Sequence, residues 1–276
     1  VNVIGIRLHG TIGDVILASC AFRPILQKHP DKTIITVSTC TRAPQLVKEL
    51  ISGIPRVGEN FYYLSIPNRS VSPLIRREWD FFRQKGCKLI YDLFTFGQGV
   101  WDGKFFRRLH RNITFDGLPL VSPLGRQEKE LKSVAIYRYS KMHDHFPSRN
   151  LHISRWDWIM EQFLKRRWKI YLLGVPEEDN FPVPNTLYYY LQSVTDCRGL
   201  PLLDSLAIIK KCCLFVGPIS GLWHWARFWC KAIGFGPQPM LNEINSVWFP
   251  GKVRWTKKNS VLLLPEQYLL VKKYAV

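Results

Sequence analysis

Apolar and polar positions along this chain change period in a regular order, and that order predicts alternating strands and helices. Residues 2–8 (NVIGIRL) are a short run rich in β-branched side chains, which predicts a buried strand, and residues 10–13 make a tight glycine-bounded turn behind it. A helix is predicted over residues 14–29, closed by Pro30, and the run 33–38 (TIITVS) predicts the next strand. Strand, helix, strand in that order marks a parallel sheet. The alternation continues with a helix over 44–52, opened by a proline suited to a first turn, a strand over 60–65, a helix over 72–85 and a buried strand over 88–93 (KLIYDL).

The pattern restarts after the polar stretch 125–132, which predicts a linker between two halves, residues 1–130 and 131–276. A strand over 134–137 is followed by a helix over 154–166 that carries Trp156, Ile159, Met160 and Phe163 on one face. Then come a strand over 169–173 ending at Gly174, a helix over 203–211, a strand over 213–216, a helix over 221–229 and a strand over 231–235. Two successive α/β halves with parallel sheets are therefore expected.

Composition adds that a 46% hydrophobic content in 276 residues can fill two such cores, which excludes a disordered or fibrous chain. No apolar run approaches the roughly 20 residues that span a bilayer. Arg7, His9 and Asp14 interrupt the first segment, so it lacks the order of a secretion signal, and a cytoplasmic location is expected. Seven cysteines (20, 40, 87, 197, 212, 213 and 230) form no C-x-x-C pair and are expected to be reduced, buried thiols.

Charge changes the picture more. A formal net charge of +18 calls for an anionic partner or surface. Basic residues cluster at Arg76, Arg77, Arg83, Lys85 and Lys88, at Lys104, Arg107, Arg108 and Arg111, and again over 165–169 and 252–258. Trp79, Phe81, Phe82, Phe105, Phe106, Trp168 and Trp255 are interleaved with them, a mixture that suits a membrane interface or nucleic acid. A solvated basic surface is the plain alternative.

Two loops have the composition of ligand sites. The turn His9-Gly10-Thr11-Ile12-Gly13-Asp14 lies between the first strand and helix, where an open parallel sheet places its ligands. It is neither a G-x-G-x-x-G fingerprint nor a P-loop; it brings backbone close to a ligand beside one carboxylate, Asp14, which can equally serve as a helix cap. The second loop, Gly217-Pro218-Ile219-Ser220-Gly221-Leu222-Trp223-His224, opens a helix directly after a strand, and the free N–H groups there suit a diphosphate. His224 stands one helical turn from Ser220, facing the same site or buried in the core. Arg149, with Arg138 and Lys141, can neutralise a leaving diphosphate. His143-Asp144-His145 are adjacent in sequence and do not converge as metal ligands, and no Asp-x-Asp or Gly-x-Ser-x-Gly motif occurs.

These residues resemble the family nine glycosyltransferases, among them the lipopolysaccharide heptosyltransferases. The similar stretches are 6–18 (IRLHGTIGDVILA), 149–156 followed by 169–174 (KIYLLG), Asp204-Ser205-Leu206 through 214–217 (LFVG), Ser220-Gly221 with His224 and Ala226, and Gly236-Pro237. The resemblance implies a GT-B fold, two Rossmann-like domains with parallel sheets facing a central cleft, the first on the acceptor side and the second binding a nucleotide sugar. It implies Asp14 as general base, Arg149, Ser220, Gly221 and His224 at the donor diphosphate, and His9, Gly10, Thr11 and Gly13 at the acceptor or its loop. It also implies an inverting transfer with no metal and no cofactor beyond the nucleotide-diphosphate sugar. Ile219 stands where the family carries an acidic or amide residue, Arg149 replaces a lysine, and Glu177 and Glu178 are the candidates for holding the ribose.

The function expected is sugar transfer to an anionic acceptor, either a lipopolysaccharide core or similar glycolipid at the inner membrane face, or hydroxymethylated bases of DNA as in a viral DNA glycosyltransferase. A third alternative is a nucleic-acid-binding protein that keeps this fold without catalysis. No protein partner is expected.

Overall fold

The computed structural model describes residues 3–8, 11–38, 44–64, 71–93, 99–101, 106–108, 118–122, 124, 127–140, 150–176, 192–237 and 259–275, with backbone alone for 71–76, 99–101 and 106–108. The chain divides into two compact units, the first running to Pro123 and the second beginning at Leu124.

In the first unit β1 (Val3–Leu8), β2 (Thr33–Ser38), β3 (Phe61–Tyr63) and β4 (Leu89–Asp92) are parallel. Two further strands, β5 (Gly99–Trp101) and β6 (Phe106–Arg108), pair antiparallel, giving the order β3-β2-β1-β4-β5-β6. The strands expected here are parallel, and β5 and β6 add an antiparallel pair beyond β4. Few residues separate β4 from β5 and β5 from β6, and a connection that short can only turn back, because a parallel crossover needs a dozen or more.

The helix expected over 14–29 is broken. α1 (Ile12–Ala18) and α2 (Phe22–Lys28) are separated by a 3-10 turn at Ser19–Ala21. Pro24, in the first turn of α2, has no N–H to give back to residue 20 and its ring crowds that carbonyl. α1 also starts earlier than expected, so Gly13 is helical rather than part of the turn. α3 (Pro44–Ser52) and α4 (Val71–Gln84) complete the unit. Phe82 of α4 lies directly on β1: a Cβ on Gly5 would stand 2.7 Å from its ring, so glycine there lets the helix reach the sheet.

The second sheet is parallel throughout. It contains β7 (Glu130–Tyr137), β8 (Lys169–Leu173), β9 (Val194–Asp196), β10 (Cys212–Pro218), β11 (Lys231–Phe235) and β12 (Ser260–Leu263), in the order β12-β11-β10-β7-β8-β9. β7 takes in Glu130, Leu131 and Lys132, the end of the stretch expected as linker. The polar start of that strand has partners: Glu130 accepts from Lys169 Nζ at 3.1 Å and from the Tyr171 hydroxyl at 2.6 Å.

Helices α5 (Ile153–Leu164), α6 (Leu202–Lys211) and α7 (Gly221–Trp229) and a C-terminal 3-10 helix (Pro265–Tyr274) accompany this sheet. Trp156, Ile159, Met160 and Phe163 of α5 are buried as their spacing predicts, with Trp156 edge-on to Phe235 at 5.7 Å. Burying each such side chain contributes about 1.5–3 kcal/mol. Arg155 donates to the carbonyl of Pro265 at 3.1 Å and lies over Tyr268, tying α5 to the C-terminal 3-10 helix. Cys20, Cys87, Cys197, Cys212 and Cys230 are buried free thiols and Cys213 is half-buried; Cys40 lies outside the described residues.

Candidate active site

In an open α/β sheet ligands gather at the carboxyl ends of the strands, where the strand order reverses. For the first sheet that point lies between β1 and β4, and for the second between β7 and β10. The predicted site residues that are described fall beside these two points.

Beside β1, Thr11 caps α1 with extended backbone and Asp14 occupies the third helical position. Both the Thr11 amide, at 2.6 Å, and the Thr11 hydroxyl, at 2.9 Å, donate to Oδ2 of Asp14. The carboxylate is buried and held to the helix cap by these two bonds. Asp14 therefore does cap its helix, and it does so through one oxygen. Gly13 is buried within α1, while His9 and Gly10 lie outside the described residues.

Arg7, near the end of the same strand, was not singled out from the sequence as a site residue. It is buried and ion-paired to Glu78 of α4 and to Asp92 of β4, with Nη1 at 3.0 and 2.9 Å from the two Asp92 oxygens. The signal was present: one arginine in VIGIRL and one aspartate in LIYD, each in a strand otherwise apolar enough to be buried, must find a partner. The group locks α4, β1 and β4 together below the Asp14 turn.

At the second switch point, Gly217 passes so close to β7 that a Cβ there would stand 2.8 Å from the Tyr137 carbonyl oxygen. The chain leaves β10 through Ile219 and reaches Ser220, the extended cap of α7, whose Oγ accepts from the Trp223 amide at 3.4 Å. Ser220 and Gly221 are partly exposed at the helix start, where early backbone N–H groups and the positive dipole end favour an anion. α7 is held there by Trp223, whose indole sits where Gly234 leaves room; a Cβ on Gly234 would be 2.5 Å from Nε1. His224 is buried, its ring 5.1 Å from that of Trp223.

Around this point Arg138, following β7, is buried close to Asp157 of α5 and Asp196 of β9. Burial pushes the Asp157 carboxyl above the usual range, partly offset by Arg138 and His152. The side chain of Arg198, bonded to both Asp196 oxygens, holds that carboxyl below it. Gly174 and Gly199 both adopt positive φ, and the Gly199 amide donates to the Gly174 carbonyl at 2.9 Å, leaving Val175 and Leu200 exposed on the two neighbouring turns. Arg149, Lys141, the His143-Asp144-His145 triplet, Glu177 and Glu178 lie outside the described residues. Among the described residues no group of three or more His, Cys, Asp or Glu is placed to hold a metal ion, and no helix is long and apolar enough to cross a membrane.

Solved structures share this architecture from end to end. The fold is that of the heptosyltransferases. E. coli ADP-heptose lipopolysaccharide heptosyltransferase II superposes with a TM-score of 0.60 at 12% identity, covering 99% of this chain and 98% of that one. E. coli heptosyltransferase WaaC with ADP-2-deoxy-2-fluoro heptose gives 0.61 at 14% identity over the same shares. A family 9 glycosyl transferase from Veillonella parvula gives 0.60 at 11% identity, covering 99% of this chain and 89% of that one. No protein-family model and no curated protein sequence matches the chain. At 11–14% identity the likeness is one of fold, a GT-B fold shared with these transferases.

Proposed function

We propose that this protein is a glycosyltransferase that moves a sugar from a nucleotide-diphosphate sugar to a hydroxyl of an anionic acceptor, with inversion and without a metal. One observation carries the proposal: a fold shared with WaaC over 99% of this chain and 98% of that one has Asp14 and Ser220-Gly221 each at a strand-order reversal of its own sheet.

The chemistry follows from what each position offers. The α7 N-terminus, with the Ser220 hydroxyl and the amides from Gly221 onward, receives the diphosphate and stabilises the charge that builds as it leaves. Arg149 adds a forked cation to the same charge, a role that rests on the sequence resemblance. His224 supports the helix start from within, packed on Trp223. The nucleoside extends toward β8 and β9, where exposed Val175 and Leu200 offer apolar surface. Asp14, aimed by Thr11, takes the proton from the acceptor hydroxyl as it attacks the anomeric carbon, and the bond to the diphosphate breaks in the same displacement. The positive charge that offsets the leaving diphosphate comes from helix and arginine, so the mechanism requires no metal ion.

The acceptor is anionic because the chain carries a net +18, and a glycolipid at the inner membrane face is the acceptor we propose, with the enzyme in the cytoplasm. The test is release of nucleoside diphosphate from a panel of nucleotide sugars, with truncated lipopolysaccharide or hydroxymethylated duplex DNA as acceptor. Release that requires lipopolysaccharide supports the proposal. Release that requires the DNA replaces the acceptor, and donor binding without release under any pairing contradicts it.

A further inference from the structure

The first sheet ends on an edge that is aromatic and basic. Its edge strand, β3, is three consecutive aromatics, Phe61-Tyr62-Tyr63, with Tyr63 36% exposed. Beneath it Ile35, Val37, Phe82, Cys87 and Ile90 form a small buried cluster, rimmed by half-buried Tyr62, Leu64, Trp79 and Phe81. Tyr62 and Phe81 meet edge to face at 5.0 Å, and the Lys85 ammonium lies 4.9 Å from the first ring centre and 5.6 Å from the second.

Cations outnumber acids on this edge: Arg77, Arg83, Lys85 and Lys88 are exposed, against the exposed carboxylates of Glu59, two residues ahead of β3, and of Asp80 on α4. Glu78, the other acid of the segment, is buried on Arg7 and is not presented outward. Asp80 approaches Arg83 at 3.5 Å, an exposed pair of the kind that contributes little.

We infer that this edge of β3 and α4 docks on an anionic lipid bilayer. Aromatic side chains with a polar tip settle at the headgroup level, and cations just outside them reach lipid phosphates while their stems cover apolar surface. The rings are poorly disposed for the competing partner, single-stranded nucleic acid, because bases stack on open ring faces. Here Tyr62 and Phe81 meet edge to face, so one ring closes a face of the other, and the Lys85 ammonium lies over both. The inference stands on these residues and not on the transfer chemistry, so vesicle binding and sugar transfer can fail independently.

The experiment is co-sedimentation of the full chain with vesicles of phosphatidylcholine alone or mixed with phosphatidylglycerol, without donor or acceptor. Binding is expected to the mixed vesicles only and to fall as salt is added. Joint Arg83→Gln, Lys85→Gln and Lys88→Gln substitution weakens it roughly a hundredfold, at about 1 kcal/mol for each cation near the surface. Tyr63→Ser weakens it severalfold, while Lys272→Gln with Lys273→Gln, exposed cations of the second unit, leaves it unchanged. The inference is overturned if the protein ignores the mixed vesicles, binds both kinds alike, or binds the mixed ones equally well after the triple substitution. Tighter binding to single-stranded DNA than to mixed vesicles, lost in the triple variant, overturns it in favour of nucleic acid.

Discussion

Arg7 closes a fork on Asp92: its Nη1 lies 3.0 and 2.9 Å from the two carboxylate oxygens of the residue standing opposite it in the β1–β4 register. Glu78 reaches the same guanidinium from α4, so three elements meet at one buried cation. Removing one partner of such a group leaves charge uncompensated, which costs about 3–5 kcal/mol. Arg7→Met is therefore expected to lower stability by that amount in chemical denaturation. A loss under 1 kcal/mol, an order-of-magnitude bound well below that range, would show the group to be unimportant to the fold.

Gly234 makes the position of α7 testable. Gly234→Ala drives a methyl against the Trp223 indole, and overpacking of this kind costs about 1–3 kcal/mol. Because Trp223 lies in the first turn of α7, the variant is expected to bind nucleoside diphosphate more weakly as well as melt earlier. Earlier melting with unchanged affinity would separate the helix from the donor site.

The Asp196–Arg198 pair carries a pH signature. Its carboxyl is held below the ordinary 3.8, chiefly by the Arg198 hydrogen bonds, so the stability it contributes is present above that value and is lost as pH falls through the depressed one. Thermal melts of Arg198→Gln against the parent should show a deficit at neutral pH that shrinks toward about pH 3. Asp196 is half exposed, so the deficit is small. A deficit that grows in acid would reverse the sign of the account.

Burial raises three thiols: Cys87 to about 11, and Cys212 and Cys230 to about 12. Reaction needs the thiolate. Iodoacetamide at neutral pH is expected to leave these three unmodified in the native protein and to label them once it is unfolded, as read by peptide mass. Rapid native labelling of Cys230 would contradict its burial.

Much of the fold was legible in the sequence because β1, β2, β10 and β11 are apolar or β-branched runs with a long helix or glycine turn after them. Of the three-residue strands, all-aromatic β3 was legible while β5, β6 and β9 carry no such signal. β9 has one apolar side chain, Val194, and is a strand because β8 pairs with it. The break between α1 and α2 was written in Pro24, whose effect on residue 20 outweighs the continuous apolar spacing around it. In the candidate site, the places of Thr11, Asp14, Ser220 and Gly221 at helix starts were readable because each follows a strand at a glycine-bearing turn. The Arg7 group was not assembled, since its partners lie 71 and 85 residues away and only the sheet order brings them together. For His224 spacing left two environments open, and packing on Trp223 buries it.

The most direct test of the central claim is Asp14→Asn, measured for donor affinity and for turnover with the acceptor that supports release. The substitution keeps the size of the side chain and an oxygen for Thr11 while removing the base. The account predicts unchanged donor binding with turnover reduced about 10²–10⁴-fold. Turnover within a few-fold of the parent would leave Asp14 as a helix cap alone and contradict its role as the base.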